Sequence, residues 1–87
     1  MISTQNYNLY TGTAEITFSG GTGTLTHNLE LTTDYKFFAS VVNRTAFLIA
    51  SSKGQNAVNL MGRETSGSSI ANLSTKVSVD WLIISPK

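Results

Sequence analysis

The chain has 87 residues, 40% of them hydrophobic and 13% charged, with a formal net charge of +1. That charge content is about half the usual share of a soluble domain. One small domain spanning 1–87 is expected, because the length leaves no room for a linker and a second core. An ordinary apolar fraction with near-zero net charge excludes the composition of a disordered segment. Six Lys and Arg against five Asp and Glu leave no basic footprint for nucleic acid. Cysteine is absent, which excludes a disulfide scaffold, a thiolate zinc site and a cysteine nucleophile. A domain of this size buries only about 60–65% of its unfolded surface. With no covalent or metal staple expected, association with further copies is the readiest source of extra stability.

The N-terminal sequence MISTQNYNLYTG lacks the basic and apolar regions of a signal peptide. Residues 1–8 are expected to be an extended arm or the remnant of a longer chain. The longest apolar run, Ala46 to Ala50, is far shorter than a membrane-spanning helix requires, so no membrane partner is expected. The sequons at Asn43 and Asn72 read as chance matches in a chain rich in Asn, Ser and Thr.

β-Branched and aromatic runs separated by Gly, Asn and Ser recur along the chain, and no helical period with a cap is present. Six strands are predicted. The first spans about Leu9 to Ser19, with Tyr10, Ala14, Ile16 and Phe18 on one face and Leu9, Thr11, Thr13, Glu15 and Thr17 on the other. Gly20-Gly21 reads as its turn. Thr22 to His27 forms the second strand, and Asn28 to Asp34 is a connection. The third strand runs from Tyr35 to Asn43, and after a tight turn the fourth runs from Ala46 to Ser51. Lys53-Gly54-Gln55-Asn56 is a hairpin turn into the fifth strand, Ala57 to Arg63. Thr65 to Ser69 reads as a loop. The sixth strand runs from Lys76 to Ser85, and Pro86 closes it because proline cannot donate to a ladder. The expected fold is a small all-β, six-stranded antiparallel sandwich, three strands against three.

Period-two splitting puts Val77, Val79, Trp81 and Ile83 on the core face of the last strand, opposite Ser78, Asp80, Leu82 and Ile84. The third strand splits into Tyr35, Phe37, Ala39 and Val41 against Lys36, Phe38, Ser40 and Val42. Several strands therefore have a partly apolar second face, which a monomeric sandwich does not need. Contiguous exposed apolar surface marks an interface. Phe38, Leu48, Met61, Leu82 and Ile84 are accordingly expected to face neighbouring copies.

No constellation for catalysis emerges. His27 is the only histidine, no G-x-S-x-G is present, and no carboxylates form a paired motif. Gly20-Gly21-Thr22-Gly23 lacks the lysine of a phosphate loop and precedes a strand. The chain is not expected to be an enzyme or to hold a cofactor or metal. Binding of a saccharide needs planar hydrogen-bonding groups beside an apolar platform. Arg63, Glu64, Asn43, Arg44, Asn56 and Tyr35 lie at predicted strand ends and loops, Arg63 foremost. Trp81 reads as a packing residue rather than a platform.

The closing segment Val77-Ser78-Val79-Asp80-Trp81-Leu82-Ile83-Ile84 resembles the last strand of H-type lectin domains. Leu25-Thr26-His27-Asn28-Leu29 followed by Tyr35 to Val42 is similar to a stretch of C-terminal domains of bacteriophage tail fibres and receptor-binding proteins. There a glycine follows His-Asn-Leu; here Glu30 stands in its place. The end of the last strand departs as well, with Ser85-Pro86-Lys87 where a glycine is usual. The resemblance spans about Thr13 to Ser85. It implies a homotrimer, or a hexamer of two stacked trimers, and sugar sites between protomers. It also implies a place on the virion, outside the cell after release, where the domain would bind host surface polysaccharide. A structural trimerisation or virion-assembly module without a ligand is the alternative.

Overall fold

A computed structural model of the chain describes residues 6–32 and 34–87. Seven strands are present: β1 (Tyr7–Thr17), β2 (Thr22–Thr26), β3 (Lys36–Val41), β4 (Ala46–Lys53), β5 (Ala57–Ser66), β6 (Ser69–Asn72) and β7 (Lys76–Pro86). All pairings are antiparallel, and no helix occurs among the described residues. Tyr7 and Asn8, expected in an N-terminal arm, are the first residues of β1. The rest of that expected arm lies at or beyond the edge of the described residues.

One sheet has the order β1-β7-β3. The other has β5 at its centre, flanked by β4 on one edge and β2 on the other, with β6 also paired to β5. Arg63 and Glu64 of β5 pair with β4 and β6 at once, so β6 must lie on the β2 edge. It continues that edge beyond Thr22, which pairs with Met61. The expected six strands, three against three, are corrected to seven, three against four, because β6 is a separate short strand that continues the β2 edge.

The predicted loop Thr65 to Ser69 is therefore corrected. Thr65 and Ser66 finish β5, Gly67-Ser68 is a two-residue turn, and Ser69 begins β6. Gly67 has φ +62°, the conformation that glycine supplies at the first position of a tight hairpin. The four β6 residues are all exposed. They have no buried face, and that is why no hydrophobic alternation announced the strand. Gly20 and Gly21 do form the predicted turn, with φ +60° and +85°. Both positive values match the primed turn that suits strand twist.

The lanes meet at Gly62, whose N–H donates to the Gly21 carbonyl (2.8 Å) and whose carbonyl accepts from the Leu73 N–H (3.1 Å). Gly21 N–H donates in turn to the Leu73 carbonyl (3.0 Å). A Cβ on Gly62 would stand 3.0 Å from Leu73 Cδ2 and 3.1 Å from Phe18 Cε2. Glycine here lets two core side chains close over the strand.

Ile16, Val77, Val79 and Ile83 from one sheet are buried against Leu25, Val58 and Leu60 from the other, with Phe18, Tyr35 and Leu73 sealing the ends. The core alternation of β7 is as expected, except that Trp81 is only half-buried. Its indole lies across β1 where Gly12 pairs with it. A Cβ at Gly12 would stand 2.7 Å from Trp81 Cζ2.

Candidate functional site

The expected ligand residues are not one cluster. Alternation along β5 sends Arg63 and Glu64 to opposite faces. Glu64 pairs with Ala46, which packs against the core, and its carboxylate takes an ion pair from Arg44. Asn43 holds the β3–β4 turn at φ +59°, a left-handed conformation that Asn tolerates. These residues form the rim of one end of the molecule, where each serves a turn or a pair.

Tyr35 corrects an expectation. It is 0% exposed and cannot touch a ligand. Its hydroxyl donates to the Gly54 carbonyl at 2.8 Å and lies 3.3 Å from His27 Nε2. The Leu29 N–H donates to His27 Nδ1, so Nε2 carries the proton and donates to the tyrosine oxygen. The rings meet edge-on at 5.6 Å. Lys53 donates to the Tyr35 carbonyl and stands 5.3 Å from the ring centroid. Burial pushes the His27 pKa below its ordinary value and the Tyr35 pKa above it. Both are held neutral in a structural knot at the end of β2. Asn56 is structural too: its Oδ1 accepts from the Glu30 N–H and its carbonyl from His27 and Asn28.

Arg63 stands apart, on the outer face of the β5 sheet. The register sets Asn72 of β6 on one side of it and Phe47 of β4 on the other. An amide, a guanidinium and a phenyl ring thus form one row across three strands. Strand spacing makes the row roughly 10 Å long. Phe47 is 46% exposed. Arg63 Nη1 donates to the Gly62 carbonyl at 3.0 Å, which fixes the guanidinium plane. Beneath it lies Gly21, where a Cβ would be 2.6 Å from Nη1 and 3.1 Å from the Asn72 side chain. The next row on this face holds Thr22, Met61 and Ile49. Beyond it Thr24, Asn59 and Ser52 are linked by side-chain hydrogen bonds of 3.1 and 2.9 Å. Thr22, Thr24, Ser51 and Asn59 line a shallow recess there.

The expected interface residues divide between the two outer faces. Phe38 and Leu82 are cross-strand partners, and Leu9 pairs with Ile84 in the adjoining row. These four form one apolar patch on the β7 sheet, with Phe38 53% exposed. Met61 is on the opposite sheet, beside Arg63. Leu48 packs against the core, contrary to its expected outward position. The β4 side chains that point out are Phe47 and Ile49, because Leu48 shares the inward phase of Ala46.

Sequence reasoning reached Arg63 and missed Phe47 and Asn72. Phe47 alternates with Leu48 in a strand that is apolar on both faces, so pattern alone could not choose the inner one. Asn72 drew notice only as a sequon, since β6 was not foreseen.

Compared with protein families, curated proteins and solved structures, the chain matches none.

Proposed function

We propose that this chain is a non-enzymatic carbohydrate-binding module, built as an H-type-lectin-like sandwich and acting as the trimeric tip of a phage tail fibre that attaches to host surface glycan. In this reading it works on the virion, outside the cell after release. The Asn72–Arg63–Phe47 row carries the reading. A saccharide presents hydroxyl edges and apolar C–H faces, and the row offers amide and guanidinium donors beside an aromatic ring. The platform is open and shallow, so each site binds weakly and several copies on one fibre supply avidity. The Leu9, Phe38, Leu82 and Ile84 patch on the other sheet is free to hold the copies together.

That same patch favours a second reading, a trimerisation or virion-assembly module with no ligand of its own. Glycan-array binding followed by amide chemical-shift mapping with bacterial wall polysaccharide separates the two. Shifts confined to β4, β5 and β6 around Arg63 support the binding module. Silence toward every sugar at millimolar concentration, from a protein that is trimeric by light scattering, supports the assembly module.

A further inference from the structure

We infer that the saccharide taken by the Arg63 row is anionic, a polymer carrying carboxylate or phosphate-ester groups, and that Arg63 is the residue that reads the charge. The inference rests on the carbohydrate-binding reading above and narrows its ligand.

Among the described residues Arg63 is the one charged side chain on the outer face of its sheet. The outward positions of β2 are Thr22, Thr24 and Thr26. Those of β6 are Ile70 and Asn72, and those of β5 besides Arg63 are Ala57, Asn59, Met61 and Thr65. β4 contributes Phe47, Ile49 and, past its bulge, Ser52. Among the described residues Arg63 makes no ion pair, although Arg44 and Lys76 each find a glutamate. Asp80 lies on the other sheet and accepts from Thr13 at 2.7 Å, so it cannot serve as the counter-ion.

The guanidinium is also held ready. One of its five donors goes to the Gly62 carbonyl. Gly21, buried and without a side chain, lets the fork lie against the backbone. The remaining donors keep a planar geometry that matches the two oxygens of a carboxylate or phosphate. Half-burial strips part of the water that would otherwise screen the charge. A neutral sugar would need only the amide and the ring. A lone, immobilised cation between them is explained by a ligand that brings the anion. Asn72 then binds a neighbouring hydroxyl and Phe47 covers the apolar sugar face.

The test is a heteronuclear titration that observes the Arg63 Nε–Hε and Asn72 side-chain amide signals. Three probes are used: oligogalacturonate, the neutral galactose oligomer of equal length, and a glycerol-phosphate oligomer. Binding of either acidic probe should shift both signals and weaken steeply with added salt. R63Q should lose about tenfold or more in affinity with its amide spectrum otherwise unchanged, and R63K should keep an intermediate share. The probe that binds tells carboxylate from phosphate. If the neutral oligomer shifts the same signals equally well and R63Q retains it, the charge inference is overturned while the saccharide reading stands. If no probe shifts the row, the charge inference falls, and the saccharide reading falls with it only if the glycan array is silent as well.

Discussion

Replacing Tyr35 by phenylalanine removes one oxygen from the most buried aromatic residue of the fold and leaves the ring in place. Two groups lose a partner: the Gly54 carbonyl, which accepts at 2.8 Å, and His27 Nε2 at 3.3 Å. Tyr35 is 0% exposed, whereas His27 and Gly54 are only half-buried, so water partly replaces the lost hydroxyl. Each net hydrogen bond contributes about 1 kcal/mol, and an orphaned buried group costs about 1–3 kcal/mol. The long His27 contact and the half-burial of both partners belong at the low end, so a loss of about 1–2 kcal/mol is expected. A domain of 87 residues has a total stability on the order of 4–13 kcal/mol at the usual value per residue. The change should therefore move the urea midpoint visibly with an unaltered slope. The assay is equilibrium urea unfolding followed by the fluorescence of the single tryptophan, Trp81. If the proposed carbohydrate reading holds, saccharide affinity measured in parallel below the transition should stay unchanged, since the hydroxyl faces inward. A loss of stability under about 0.5 kcal/mol would refute the hydrogen-bond argument. A loss of binding with stability intact would refute the assignment of Tyr35 to the structural knot.

The same knot sets a pH window. The His27 pKa is lowered on folding, so its contribution is present above the unfolded value near 6.5 and is lost as pH falls through the folded value. The Tyr35 pKa is raised, so its contribution is present below about 10 and is lost as pH climbs through the folded value. Urea midpoints measured between these limits should form a plateau, and His27→Gln should flatten the acid flank. If the chain assembles through this face as proposed, Leu82→Glu should yield monomer in light scattering, weakening association by about a hundredfold or more, because it puts a carboxylate into the Phe38–Leu82–Ile84 patch beside Lys36, the cross-strand partner of Ile84; an unchanged mass would exclude that patch as the interface. Glu30→Gly should stabilise the fold by up to about 1 kcal/mol, because Glu30 is held at φ +54°. Its backbone N–H still reaches Asn56 Oδ1 in the variant, and a lower melting temperature would contradict the strain argument.

Much of the fold was legible because the sandwich buries one face of most strands. Ile16, Val58, Leu60, Val77, Val79 and Ile83 all lie in the core where their alternation places them. The turns at Gly20-Gly21 and Lys53 to Asn56 were legible for a second reason. Gly20 and Gly21 hold positive φ values that other residues avoid, whereas the second turn needs none and is closed by Gly54 N–H donating to the Ala57 carbonyl. Where both faces are apolar, as in β4, alternation has no contrast, and Leu48 packs inward while Phe47 takes the outer position. Where neither face is apolar, as in β6, there was no signal to read.

The candidate site divides along the same line. Local sequence determined that Arg63 ends an apolar run beside Gly62, as a charged group the core cannot take. It also determined that β7 must present Leu82 and Ile84 opposite its valines. Only the tertiary structure decided that Asn72 and Phe47 flank Arg63. It likewise decided that Tyr35 seals the interior. Those relations depend on which strands share an edge and in which register. Register is set by packing between residues far apart in the chain, so no local pattern encodes it.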